Sequence, residues 1–475
     1  MDAPAAADRS DYQPARSLPP AGPLVQEVLD QDSRAVPLNL REQSAVYMGD
    51  EDLDAARYYS QEFHDLEMEY VWKKVWQFAC REDDILNPGD HIIYEIGDEQ
   101  IIVVRTQDGD IRAFPNACLH RGTTLVTCAG NVDRFKCPFH GFTWSLDGEL
   151  VNKPSAWDFK HVTKENFKLP DIRVGRWAGF VFVTLSDETP PLEEYLDDLP
   201  DHFKEWPMEH RYKAVHVAKV IKCNWKAAME AFLEGYHIPA THPQSGDYSG
   251  DIQGQYDVWP EKRHINRVHV WFGATRGSQS RQDPNEVIDA MLRDMPAIGK
   301  PGDIRVGPND SARVAVAQRF REVLSKSTGV DLDAASDAEM LDAIQYFVFP
   351  NIVPWRGVGS PIVYRFRPYK NDPNASIMEI MYLFVRHPDA PKKKGVPIHW
   401  LQEDELFSDA KELGGLGVVF DQDLSNLERV QIGLHATHKK GVTLASYQEI
   451  RIRHYHKIID EYIAEGQAKK ATVRA

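Results

Sequence analysis

Phe114-Pro-Asn-Ala-Cys118-Leu-His120-Arg-Gly122 and, shortly after it, Cys137-Pro-Phe-His140-Gly-Phe-Thr-Trp144 lay out the pattern C-x-H-x16-C-x2-H. Each half offers one thiol and one imidazole. Zinc also accepts two Cys and two His, but common zinc fingers place both cysteines in one half and both histidines in the other. One Cys and one His from each half suit a [2Fe–2S] cluster in which one iron keeps Cys ligands and the other takes two His. Neutral imidazole in place of charged thiolate raises the potential of such a cluster, so the chain is expected to accept and pass single electrons.

The sequence around these loops is rich in short β runs: His91-Ile-Ile-Tyr-Glu-Ile96, Gln100-Ile-Ile-Val-Val-Arg105 and Phe180-Val-Phe-Val-Thr184, with turn pairs Asp108-Gly109 and Asp147-Gly148. They predict a small antiparallel β domain over 57–188 that carries the cluster loops. Ahead of it, Phe63, Leu66, Met68, Val71, Val75 and Trp76 predict an amphipathic helix over Ser60 to Cys80. Residues 1–56, rich in Ala, Pro and Asp, read as a tail or a wrapping arm. The polar segment Ser186-Asp-Glu-Thr-Pro-Pro191 marks a boundary. Beyond it, 189–475 mixes strands with helices expected at Cys223–Tyr236, Asp423–Leu434 and Tyr447–Gln467, which makes the whole chain α+β. The polar, mostly helical stretch 278–343 reads as an insertion covering a pocket.

Composition narrows the function. Lys and Arg number 55 against 72 Asp and Glu, a formal net charge of −17, which argues against a nucleic-acid partner. No run approaches the ~18 apolar residues that would cross a membrane. Met1 to Pro20 has neither a basic nor an apolar leader region, so a cytoplasmic location is expected. Five cysteines in a chain of 475 residues are not a disulfide framework, and Cys80, Cys128 and Cys223 read as packed residues.

A second constellation lies in Asn224-Trp-Lys-Ala-Ala-Met-Glu230-Ala-Phe-Leu-Glu234-Gly-Tyr-His237-Ile-Pro-Ala-Thr-His242. On a helix, Glu234 and His237 share a face. Pro239 is then expected to stop that helix and let His242 swing back towards His237. Two His and a distant carboxylate satisfy a non-haem Fe(II) site, which needs three protein ligands on one face and open positions opposite. Asp423 is the candidate carboxylate, on a helical stripe with Leu427, Val430 and Leu434 where only a cation or hydrogen bonds would offset its desolvation. Asp421 is the weaker candidate. The bland readings are ordinary surface or core histidines, a helix N-cap for Asp423 and an exposed helical acid for Glu234.

At these residues the chain resembles the oxygenase (alpha) component of the Rieske non-haem iron oxygenases, the ring-hydroxylating dioxygenases and related demethylases. The resemblance runs roughly from residue 60 to 450 and includes Asn224-Trp-Lys226, Tyr236-His237 and Phe349-Pro-Asn351. It implies a β-rich Rieske domain and a helix-grip catalytic domain, with Cys118, Cys137, His120 and His140 on the cluster and His237, His242 and Asp423 on a mononuclear Fe(II). It further implies a ring of three alpha subunits, with or without beta subunits, and an acid at the position of Glu234 that bridges a cluster to the neighbouring subunit's iron. The family's usual bridging acid is Asp, and its usual Asn after Glu230 is Ala231 here. The implied reaction is hydroxylation or cis-dihydroxylation of a small, aromatic substrate by O2. The alternative is a monooxygenase or demethylase acting on a non-aromatic or amine substrate.

No convincing Gly-x-Gly-x-x-Gly turn, flavin signature or plant-type ferredoxin signature occurs, so electrons are expected from a separate ferredoxin or NAD(P)H reductase. The rival from another class is a Rieske protein that only carries electrons. Respiratory carriers usually add a Cys after each cluster segment, whereas Thr123 follows Gly122 here.

Overall fold

Gly97-Asp98 closes a two-residue hairpin between the strands Asp90–Ile96 and Glu99–Arg105, with Gly97 at φ +57°. A left-handed residue suits the strand twist at such a turn. Ile111–Pro115 and the short Gly130–Asn131 complete a four-stranded sheet. Phe135–Lys136, Thr143–Trp144 and Leu150–Asn152 form a second sheet of three strands. The first cluster loop leaves the end of Ile111–Pro115, and the second connects Phe135–Lys136 to Thr143–Trp144. Both thiols therefore sit in one small core with Ile102, Val104, Phe114, Phe142 and Trp144. This computed structural model describes residues 23–250, 253–274, 283–359, 361–387 and 389–474.

The helix expected over Ser60 to Cys80 is shorter. It spans Gln61–Glu67, continues as a π turn over Met68–Trp72, and gives way to a strand, Gln77–Arg81, that pairs with Phe180–Thr184. Every residue of that strand is buried. Where both faces are covered, apolar periodicity no longer separates strand from helix.

The larger part is built on an eight-stranded sheet in the order Gln255–Val258, Ile265–Val270, Ala343–Val348, Ile352–Arg356, Ile362–Tyr369, Asp372–Val385, Arg211–Ile221, His399–Trp400, antiparallel except at the last pair. The helices Trp225–Glu230, Leu416–Ala436 and Ile450–Arg474 pack against it, with Phe232 meeting Tyr364 and Phe366 of the sheet at 4.9 and 5.3 Å. This is the helix-grip arrangement, and the chain is α+β.

Asn351, from the Phe-Pro-Asn segment, ties the two parts together. Its Oδ1 accepts from the Phe78 N–H at 3.0 Å, and its Nδ2 donates to the Tyr94 hydroxyl at 3.3 Å. Arg365 donates to the Phe78 carbonyl while pairing with Glu379, all of it buried.

Within the expected insertion, Pro284–Asp294, Ala312–Thr328 and Asp337–Leu341 form a satellite core of their own; residues 278–282 lie outside the described residues. Of the expected tail or arm, residues 1–22 are likewise outside. The rest is fastened to the catalytic part by Asp32–Arg313, Ser33–Asp337 and Ser44–Asp257 contacts.

Candidate active site

The two cluster loops are local copies of one turn. Cys118 and Cys137 each donate their N–H to the carbonyl five residues on, at Thr123 and Phe142, and each accepts from the N–H of the glycine four residues on, Gly122 and Gly141. Those glycines have φ of +81° and +76°, a region that side chains rarely tolerate. The repeated turn brings the thiols close enough that each influences the other's ionisation. Burial disfavours both thiolates. Main-chain N–H groups of Phe139 and His140 oppose it at Cys137, whose pKa ends below the ordinary value, while that of Cys118 stays above.

The His120 and His140 rings lie 4.7 Å apart, and His120 is stacked on Phe142 at 4.9 Å. Its Nδ1 is buried with no hydrogen-bond partner among the described residues. Two adjacent thiols, two adjacent imidazoles and a stranded ring nitrogen fit a cluster ligated by Cys and His. His140 and Phe139 are exposed, so this group of residues sits at the surface.

The second constellation departs from the expected helix. Trp225–Glu230 ends early, and Pro239 lies in the first turn of a new short helix, Ile238–Thr241, which it starts; it does not stop the preceding one. Proline is well tolerated there because that N–H has no intrahelical partner. His237 caps this short helix and His242 follows its end, so the two rings come to 5.2 Å. Asp423, on the helix Leu416–Ala436, supplies the third group. Its Oδ1 lies 2.8 Å from His242 Nε2 and 3.5 Å from His237 Nε2. All three ligand atoms fall within 4.8 Å of one another, and no other such group occurs among the described residues.

The opposite ring nitrogens are also held. Glu234 Oε1 lies 2.6 Å from His237 Nδ1, and Glu234 Oε2 accepts the His237 N–H at 3.0 Å. Gln422 Oε1 lies 2.8 Å from His242 Nδ1. A carboxylate or amide oxygen accepts only, so each Nδ1 carries a proton, and each Nε2 faces Asp423, where a bound metal ion would take the place of any proton between them. A proton held on Nδ1 leaves Nε2 as the nitrogen that would bind a metal. Burial opposes the charged form of His237, but Glu234 outweighs it and leaves the pKa above its ordinary value.

Glu230 is not part of this group. It faces Tyr58, Tyr455 and His456, accepting from the Tyr58 hydroxyl at 2.8 Å. Asp421 instead accepts the N–H groups of Phe407 and Ser408, which removes it as the alternative carboxylate. Along the Asp423 stripe Leu427 is buried, but Val430 is 44% exposed.

Gln422 is the residue that sequence reasoning missed. Nothing about a glutamine beside Asp423 signals its role until His242 is placed opposite it. Gln422→Leu is expected to weaken retention of mononuclear iron about 10- to 100-fold, the usual effect of losing an orienting partner. Iron content after dialysis against a graded chelator series checks this, with an unchanged profile counting against it.

Residues 197–465 match the profile described as ring hydroxylating alpha subunit (catalytic domain). The chain belongs to that family. Residues 75–163 match the Rieske [2Fe-2S] domain. As a ring-hydroxylating alpha subunit with a Rieske domain, the chain takes two cofactors, a [2Fe–2S] cluster and a mononuclear iron.

Among its relatives, the anthranilate 1,2-dioxygenase large subunit of Acinetobacter baylyi is 35% identical over 189 residues, covering 38% of this chain and 40% of that protein. The glycine betaine monooxygenase oxygenase subunit of Chromohalobacter salexigens is 34% identical over 199 residues, covering 41% and 44%. The matched segment thus spans less than half the length of these relatives. Two solved folds align over most of this alpha subunit. A quaternary ammonium Rieske monooxygenase gives a TM-score of 0.63 at 17% identity, covering 86% of this chain and 95% of its own. A naphthalene 1,2-dioxygenase variant bound to phenanthrene gives 0.61 at 21%, covering 90% and 96%. No helix among the described residues is long and apolar enough to cross a membrane.

Proposed function

We propose that this chain is the oxygenase component of a Rieske oxygenase system that inserts oxygen from O2 into a small organic substrate. In this reading Cys118, His120, Cys137 and His140 hold the cluster, and His237, His242 and Asp423 hold the mononuclear iron. When bound, the cluster supplies single electrons and the iron supplies the centre at which dioxygen is activated.

The observation that carries the reading is the convergence of two Nε2 atoms on one Asp423 oxygen, with both Nδ1 atoms tied back. The three candidate ligands then occupy one side and leave the other for reactants. Glu234 fixes the His237 tautomer and is also the acid placed to connect this centre with the cluster of a neighbouring subunit in a homotrimer, with or without beta subunits. Electrons come from a separate ferredoxin or NAD(P)H reductase, and the site of action is the cytoplasm. The domain boundary falls near Ser186 to Pro191, with 57–188 as the cluster domain and 189–475 as the catalytic domain.

An aromatic substrate is the first reading, in line with relatives named for anthranilate and naphthalene. The second is monooxygenation of a non-aromatic or amine substrate. It is favoured by Glu234 in the place of the usual Asp and by relatives named for glycine betaine. Reconstitution with a generic ferredoxin and reductase pair, NAD(P)H and 18O2 over a panel of both classes tests the proposal. Two labelled oxygens in a product indicate dioxygenation and one indicates monooxygenation. Reduction of the cluster with no labelled product anywhere in the panel would sink the oxygenase reading.

A further inference from the structure

A lysine run from the catalytic part meets the cluster-bearing part on an exposed surface. Lys392, Lys393 and Lys394 follow the strand Asp372–Val385, and all three are exposed. Lys394 reaches across the boundary, its Nζ 2.9 Å from Asp90 Oδ1. The same oxygen accepts from Asn131 Nδ2 at 2.9 Å, and Asn131 is the cross-strand partner of Asp90. A few residues on, Arg134 and Lys136 are exposed as well. The Lys136 Cε sits 3.8 Å from where a Cβ on Gly141 would stand, which places it against the turn that carries Cys137 and His140.

Segments 130–136 and 389–396 hold five cations against two acids, Asp133 and Asp389, in a chain of formal net charge −17. Nearby acids are already matched: Glu82 by Arg105 and Arg176, Asp84 by Lys213, and Asp90 by Lys394. Of the five cations, only Lys394 has a carboxylate at ion-pair distance among the described residues. Lys393 lies over the Tyr212 ring at 5.0 Å, and that ring is 6.4 Å from Phe384. Phe384 and Val396 are 43% and 36% exposed. An apolar centre with a charged rim is the make-up of a protein contact, and a positive field on an acidic chain selects an acidic partner.

We propose that this surface seats an acidic electron-donor protein, a small ferredoxin, beside the second cluster loop. One electron leaves the reduced donor and enters the bound cluster, so the donor is oxidised and the cluster reduced by the same amount. That the partner is an electron donor rests on the oxygenase reading, in which reducing equivalents come from a separate protein. The position of the seat rests on the charges and on Lys136 lying against the cluster loop.

Stopped-flow reduction of the cluster-loaded protein by a reduced, acidic plant-type [2Fe–2S] ferredoxin tests this, together with titration calorimetry using the same ferredoxin oxidised. The second-order rate constant is expected to fall at least about tenfold from low to high salt, and binding to weaken in parallel. Lys392→Glu with Lys393→Glu lowers the low-salt rate constant at least about tenfold and flattens its salt dependence, while the cluster's absorbance and midpoint potential stay as in the wild type. Lys457→Glu with Lys469→Glu changes the net charge equally on the C-terminal helix, where these side chains are 63% and 68% exposed, and leaves the rate constant within about twofold. The proposal is overturned if the ferredoxin neither binds nor reduces the wild type, if the Lys392 and Lys393 pair of changes has no effect, or if the control pair slows reduction equally. It is also overturned if the Lys392 and Lys393 changes alter the sedimentation of the protein alone, which would make this face a contact between copies of the chain. Reduction through this face with no labelled product across the substrate panel would sink the oxygenase reading and leave the seat in place.

Discussion

His237→Ala, purified under the same conditions as the wild type, is expected to keep its cluster absorbance and to lose both its mononuclear iron and its oxygen consumption in the presence of substrate. The reason is geometric. His237 contributes one of only three candidate ligand atoms, and the alanine leaves His242 and Asp423 to hold the ion alone. Two protein ligands do not make the three-ligand face on which such a site depends. The cluster residues lie in a separate core and, among the described residues, share no hydrogen bond with His237, so their spectrum serves as an internal control for folding. If the variant binds the same mononuclear iron and consumes oxygen at the same rate, the assignment of this site is wrong.

Glu234→Gln is expected to behave differently: both metal centres stay spectroscopically intact while product formation slows about 100-fold, at the upper end of effects from groups that support a metal ligand. The amide oxygen can still accept from His237 Nδ1, so the ring keeps its tautomer and its place. What disappears is the charge. Glu234 is the dominant favourable influence on the charged form of His237, and its carboxylate occupies the position proposed to couple the two redox centres. Stopped-flow measurement of cluster reoxidation in the presence of substrate distinguishes slow electron passage from weak substrate binding. Unchanged turnover would leave the cluster assignment standing and require a different route between centres.

Local chemistry was readable from the chain because it is written locally. The cluster pattern and the turn pairs lie within a few dozen residues, and the β runs at 91–96, 100–105 and 180–184 all appear as strands. His237 and His242 are five positions apart and could be paired without knowing the fold. Asp423 is 181 residues from His242 and was reachable only through its place in an apolar stripe. Even there the stripe was partly misread, since Val430 faces outward. Three features were not legible for physical reasons. Gln422 acquires a role only across the gap to His242. Gln77–Arg81 carries no alternation because both its faces are covered. Pro239 could end one helix or begin another, and that choice depends on the short turn between Glu230 and Ile238, which propensity does not decide.

The bonds from Asn351 and Arg365 to Phe78 and Tyr94 have a consequence for how reducing equivalents enter. They cross a buried junction, and a swinging motion of the cluster-bearing part would have to break several of them at once. The cluster-bearing part therefore behaves as a fixed terminal, not as a tethered shuttle. In the proposed oxygenase a redox donor then comes to the cluster-bearing part, and the rate of charging is expected to vary with donor concentration and ionic strength and little with any internal hinge.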